Sequence, residues 1–118
     1  LNDGFYDCGL LFDNDKIYVV YGINQLRIAE LDEDFNKIPG SDKDVVKWSF
    51  REGLEGSRLY KIGEYYYIYS TYGGWPAFQT VFRSKDIYGP YEEKKLIASV
   101  VKKILDHIQQ PFRILFNI

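Results

Sequence analysis

Between Tyr6 and Lys95 the apolar positions fall in short runs separated by clusters of Asp, Asn, Gly and Pro, the pattern of strands joined by turns. Tyr6 to Phe12 (Y-D-C-G-L-L-F) predicts a short, mostly buried strand, and Asp13-Asn14-Asp15 a polar hairpin turn. Lys16 to Tyr21 (K-I-Y-V-V-Y) predicts a second strand, ended by Gly22. Gln25 to Leu31 alternates, with Leu26, Ile28 and Glu30 on one side and Arg27, Ala29 and Leu31 on the other. The charged stretch Asp32 to Asp44, containing Pro39-Gly40, reads as a loop, and Val45 to Phe50 as an outer, less buried strand. The order then recurs: Ser57 to Ile62, a turn around Gly63, Glu64 to Ser70, the longer connection T-Y-G-G-W-P, Phe78 to Arg83, and a short outer segment from Tyr91 to Lys94.

The recurrence has a register. A shift of about 48 residues places Leu11 on Leu59, Phe12 on Tyr60, Tyr18 on Tyr66, Val20 on Ile68 and Tyr21 on Tyr69. Three or four short antiparallel strands in a repeat of that length are the arithmetic of a propeller blade. The tail departs from this pattern. From Leu96 to Gln109, Ile97, Val100, Val101, Ile104, Leu105 and Ile108 recur at three- and four-residue spacings, which predicts an amphipathic helix ended by Pro111. The chain thus divides into a two-unit β segment, 1–95, and an atypical tail, 96–118.

Composition narrows the picture. With 46% hydrophobic and 18% aromatic residues, eleven of them tyrosine, the 118-residue chain favours strands and argues against disorder. A net charge of -2 gives no reason to expect nucleic acid or an anionic membrane surface as a partner, and no stretch approaches a membrane-spanning apolar run. One cysteine and one histidine exclude an internal disulfide and a Cys/His zinc cluster, and leave the redox compartment open.

The same shift that aligns the strands places Asp7 on Glu55, so two acids stand at equivalent starts of two successive units. In a propeller the first strands line the central axis, and both carboxylates would open into one funnel. Such a pair suits general acid chemistry, glycoside hydrolysis being its commonest use. Repeat symmetry placing a solvated or capping acid at each blade start explains the same spacing. Gly56 and Ser57 beside the acid leave room for a ligand, and equally fit a crowded blade centre. Trp75, on the longer loop, is the best single platform for a sugar ring, or a cover for the sheet edge. Tyr65, Tyr66, Tyr67, Tyr69 and Tyr72 read mainly as packing residues. Asp13-Asn14-Asp15 lacks the glycine and distal glutamate of a calcium loop. Cys8 reads as a small buried hydrophobe, and His107 has no recognisable partner.

The runs Y-D-C-G-L-L-F-D-N-D-K-I-Y-V-V-Y-G, L-R-I-A-E-L-D, L-E-G-S-R-L-Y-K-I, Y-Y-Y-I-Y-S, G-G-W-P and F-R-S-K-D-I-Y-G-P-Y-E, in that order, resemble glycoside hydrolase family 43, in its β-xylosidase and α-L-arabinofuranosidase branch. The likeness covers about Tyr6 to Lys95. It implies an all-β fold that is part of a five-bladed β-propeller, about two blades of it, and an inverting glycosidase acting on xylo- or arabino-oligosaccharides. It also implies roles: Glu55 as the general acid, Asp7 as the aspartate that orients that acid and tunes its pKa, and Trp75 as part of the substrate pocket. No cofactor is implied for the reaction; a structural calcium in the complete enzyme finds no ligand set in these residues.

The departures from the family pattern carry expectations too. Nothing before Asp7 matches the family's catalytic base, and Asp3 is too close in sequence to belong to an earlier blade. Relatives commonly carry histidine where this chain has Arg58, which simple alternation turns away from the side used by Glu55 and Ser57. The D-H-I-Q-Q stretch around His107 is a damaged echo of a fourth-blade segment. The expectation is an internal piece of a longer enzyme, inactive alone. A non-catalytic carbohydrate-binding module and a degenerate remnant that self-associates through exposed blade edges are the alternatives.

Overall fold

A computed structural model describes residues 5, 7–48, 53–73 and 78–95. The expected tail helix, Leu96 to Gln109, lies outside the described residues. What is described is all-β. Eight strands run in chain order: β1 Gly9–Asp13, β2 Lys16–Tyr21, β3 Gln25–Leu31, β4 Lys43–Lys47, β5 Leu54–Ile62, β6 Tyr65–Tyr72, β7 Phe78–Ser84 and β8 Glu92–Lys95. They form two four-stranded antiparallel meanders, β1-β2-β3-β4 and β5-β6-β7-β8, consistent with two blades of a β-propeller.

The first hairpin follows from two residues that tolerate the left-handed region. Asn14 (φ 49°) and Asp15 (φ 62°) connect Asp13 to its ladder partner Lys16, the pattern of a two-residue I′ turn. The equivalent turn of the second sheet joins Ile62 to Tyr65 through Gly63 (φ 63°) and Glu64. The strand starts differ from the sequence expectation by two or three residues at three places. β1 begins at Gly9 rather than Tyr6, because Asp7 adopts φ 53° and breaks the extended run. β4 begins at Lys43 rather than Val45; Leu26 and Arg27 of β3 face Val46 and Asp44, which leaves Val45 as a bulge in β4, and the Arg27 guanidinium holds Asp44 at 2.8 Å and Asp42 at 3.1 Å. β5 begins at Leu54 rather than Ser57, since Leu54 and Glu55 pair with Tyr72 and Thr71 of a β6 that runs past Ser70.

The two sheets pack face to face. Tyr18, Val20, Leu26, Ile28 and Val46 of the first meet Leu54, Leu59, Ile68, Phe82 and Ile87 of the second in one apolar cluster. Period-2 alternation sends pairs such as Tyr18 with Val20 and Leu26 with Ile28 to a shared layer, and removal of these residues from water is the main force joining the sheets. Trp48 caps one end of the layer, with its ring 6.2 Å from both Tyr72 and Phe82. Cys8 packs at the edge of the opposite face of the first sheet, beside Val19, Ala29 and Leu31.

Polar contacts set how the layers align. Asn24, in the left-handed region (φ 61°) between β2 and β3, accepts at its Oδ1 from the backbone N–H groups of Gly53 (2.7 Å) and Leu54 (3.0 Å), while its own N–H donates to the Leu54 carbonyl at 3.0 Å. At the other end of β5, Asp13 accepts from the Tyr66 hydroxyl at 2.6 Å and pairs with Lys61 at 3.4 Å. Asp13-Asn14-Asp15 is therefore a turn whose first acid serves the sheet interface.

Burial, reinforced by the hydrogen bond to Asp13 and by the charge of that carboxylate, pushes the Tyr66 hydroxyl up to about 12. Burial also raises Tyr91, whose hydroxyl donates to the Ile87 carbonyl. The folded protein thus holds these protons more tightly than the unfolded chain, whose tyrosines ionise near 10. The stabilisation is complete below that value and drains away as pH rises through about 12. Chemical denaturation between pH 9 and 12, in about half-unit steps, should show falling stability, and Tyr66→Phe should flatten part of that fall while lowering stability at neutral pH.

Candidate functional site

The geometry at the start of β5 is set by one glycine. Gly56 adopts φ 66°, and the β5–β6 ladder shifts register between Glu55, which faces Thr71, and Arg58, which faces Tyr69. Gly56 and Ser57 together oppose Ser70, a bulge of the kind that glycine in the left-handed region permits. The extra residue breaks simple alternation. Leu54, Ser57 and Leu59 are buried on the face towards the first sheet; Ser57 is 0% exposed and its hydroxyl lies 2.7 Å from that of Ser70. Glu55 and Arg58 instead share the opposite, exposed face. This corrects the expectation that Arg58 turns away from Glu55, and it removes Ser57 from the acid's surroundings.

Asp7 reaches this bulge from the other sheet. Its Oδ2 accepts a hydrogen bond from the Gly56 N–H at 2.5 Å. Asp7 and Glu55 line one open hollow of about 630 Å³ with Gly56 and Thr71. Gly73 gives the Glu55 carboxylate its space: a Cβ on Gly73 would stand 3.0 Å from Oε1. The backbone N–H of Gly73 in turn donates to the Gly53 carbonyl at 2.9 Å, which closes the loop beside the acid. The two repeat-equivalent acids therefore come together at one opening. Trp75, Asp3 and His107 lie outside the described residues. Among the described residues no group of three or more His, Cys, Asp or Glu side chains could hold a metal ion.

A profile of the glycosyl hydrolases family 43 matches residues 1–111, nearly the whole chain. The chain belongs to glycosyl hydrolase family 43. Among curated relatives, a beta-xylosidase of Bacillus subtilis (strain 168) is 30% identical over 105 residues, which are 78% of this chain and 20% of that protein. A non-reducing end alpha-L-arabinofuranosidase of Bacteroides ovatus is 29% identical over 111 residues, 91% of this chain and 20% of its own length. Among solved structures, a bifunctional GH43-CE protein of Bacteroides eggerthii superposes with a TM-score of 0.70 at 29% identity, covering 78% of this chain and 13% of that one. The chain thus spans about a fifth of the length of these two curated relatives.

Three positions of this family 43 chain matter to the site and escaped the sequence reading. Gly73 lies in the longer connection T-Y-G-G-W-P, where only Trp75 stood out, and Asn24 was assigned no role. Gly9 lies against Ser57 and Arg58: a Cβ there would be 2.8 Å from the Ser57 carbonyl oxygen and 3.0 Å from the Arg58 Cα. A glycine inside a strand is the usual trace of such backbone approach, so Gly9 did leave a signal.

The Asp7–Gly56 bond should be measurable as stability. Asp7→Ala removes the acceptor and places alanine at φ 53°, so it should cost about 1–3 kcal/mol. Asp7→Asn keeps a carbonyl oxygen and tolerates that φ, and should cost about 1 kcal/mol or less. Urea unfolding midpoints of the two variants check the difference.

Proposed function

We propose that this chain supplies the proton donor and its orienting carboxylate to an inverting glycosidase acting on xylan- or arabinoxylan-derived oligosaccharides, a β-xylosidase or α-L-arabinofuranosidase. The observation that carries the reading is the meeting of Asp7 and Glu55 at one hollow, with Asp7 bonded to the residue that follows Glu55. The named activities of the two curated relatives support the substrate class. On this reading residues 1–95 form two adjacent blades of the propeller, 96–118 is an atypical tail, and Trp75 belongs to the substrate pocket.

The chemistry divides between the chain and the rest of the enzyme. Glu55 stands on the exposed face of β5, where its carboxyl group, carrying a proton, can approach a glycosidic oxygen and give that proton up as the bond to the anomeric carbon breaks. Asp7, held by the Gly56 N–H, has a fixed carboxylate beside the donor and so constrains where the donor can point. The positive charge growing on the sugar ring lies in a hollow lined by the Asp7 carboxylate and by Glu55, which gains negative charge as its proton leaves, and this favours the transition state. Inversion needs a second carboxylate about 6.5–9.5 Å from the donor, with a water between it and the anomeric carbon. On this reading that base comes from another part of the longer protein, so the chain alone is inactive.

The full-length protein containing this chain should release xylose or arabinose from the corresponding nitrophenyl glycosides, with the product first appearing in the inverted anomeric configuration by proton NMR. Glu55→Gln should lower turnover of an unactivated substrate such as xylobiose at least about a hundredfold. The loss should be much smaller on a 2,4-dinitrophenyl glycoside, whose leaving oxygen needs no proton. Unchanged xylobiose turnover in Glu55→Gln would rule out its assignment as donor.

A further inference from the structure

We infer that Arg58 is a positioning residue for the acid pair: its guanidinium fixes the Asp7–Gly9 segment of the first sheet against the bulge of the second. The inference rests on the reading of Glu55 as proton donor. Arg58 Nη1 donates to the Ser57 carbonyl at 2.8 Å and makes a longer contact, 3.4 Å, with the Cys8 carbonyl. One terminal nitrogen with two hydrogens thus reaches one acceptor within β5 and another on the segment that leads into β1. A guanidinium holds those two hydrogens in one fixed plane, whereas the hydrogens of an ammonium rotate.

The contact sits where alignment matters. β1 and β5 belong to different sheets, so nothing in the backbone ladders sets the height of one against the other. Beside the Asn24 and Tyr66 contacts, three polar rungs join β1 and its leading segment to β5 directly: Asp7 to Gly56, Arg58 to Cys8, and Lys61 to Asp13. Arg58 is the middle rung and the nearer of the two basic ones to the acids. Its stem lies along Gly9, whose missing side chain leaves the Arg58 Cδ 3.3 Å from where a Cβ would be. Asp7 itself stands at φ 53°, one residue before the carbonyl that Arg58 touches, so sliding of that segment carries the Asp7 carboxylate away from Gly56.

Among the described residues Arg58 forms no ion pair, so its charge is committed to backbone carbonyls on the face it shares with Glu55. Asp7 and Glu55 are the titratable groups lining the hollow among the described residues, and Arg58 is the charged side chain next along that face. As a bare cation near a proton donor, Arg58 would oppose the donor's protonated form. As a positioning residue it supports the donor, and the two roles predict opposite effects of its removal.

The test uses the full-length enzyme with xylobiose and with 2,4-dinitrophenyl β-xyloside. Arg58→Met should lower kcat on xylobiose at least about tenfold with KM changed less than about threefold, and should lower kcat on the dinitrophenyl substrate by far less. That substrate ratio does not depend on how much of the variant is folded. Arg58→Lys, which keeps a donor, should retain several-fold more xylobiose turnover than Arg58→Met. In an Asp7→Asn background, Arg58→Met should cost less than about a further twofold, because the carboxylate that Arg58 holds in place is already gone. Equal losses on the two substrates, a gain in xylobiose turnover, or independent losses in the double variant overturn the inference. Glu55→Gln run alongside separates the two readings. A leaving-group-dependent loss in Glu55→Gln without one in Arg58→Met overturns the positioning role alone, whereas no such loss in Glu55→Gln overturns the donor reading and this inference with it.

Discussion

The hydrogen bond from the Gly56 N–H to the Asp7 carboxylate joins two constraints that would otherwise be separate. Gly56 and Ser57 stand against a single residue of β6, so the ladder alone cannot use every backbone group of the bulge. A carboxylate from the neighbouring sheet takes one of them. The bond satisfies the bulge, holds Asp7 in a backbone conformation that breaks the strand before β1, and places two acids at one opening. If the bulge were ironed out, Glu55 would keep its place in the sequence and lose its relation to both Asp7 and Arg58.

Apolar burial and polar contacts divide the labour between the sheets. The shared layer of Tyr18, Val20, Leu26, Ile28, Leu54, Leu59, Ile68 and Phe82 draws the sheets together, yet such burial is non-directional and tolerates sliding. Asn24 at one end, Asp13 with Tyr66 and Lys61 at the other, and the Asp7–Gly56 bond in a site of its own supply direction. These are charge-assisted or multiply bonded contacts, which lose more than neutral pairs when their geometry slips.

Repetition did not make the two units copies at the level of contacts. Asp13 and Lys61 are equivalent under the 48-residue shift, and they pair with each other across the interface. Asp7 and Glu55 are equivalent too, but one is a left-handed residue before its strand and the other lies within its strand on an exposed face. Equivalent positions with unlike residues let each unit offer its neighbour something the neighbour lacks, which an exact repeat could not do.

Much of this was legible in the chain itself. Period-2 alternation, the Asn-Asp and Gly turns and the repeat register located the eight strands to within a few residues and paired Asp7 with Glu55, because those signals are local or depend only on spacing. The family resemblance was legible for the same reason, in several short runs in a set order. Strand starts were less so: Leu54 belongs to β5 because of Tyr72, and Asp44 to β4 because of Arg27, partners far off in sequence. The face on which Arg58 emerges was misread, since alternation counts residues and a bulge adds one. Which residues crowd together at Gly9 and Gly73, and which carbonyls Arg58 can reach, depend on how closely two sheets without a common ladder approach each other. The sequence by itself determined the strands, the repeat and the two acids; the packing of one sheet on the other decided where those acids point, because that distance is set by side chains from both units at once.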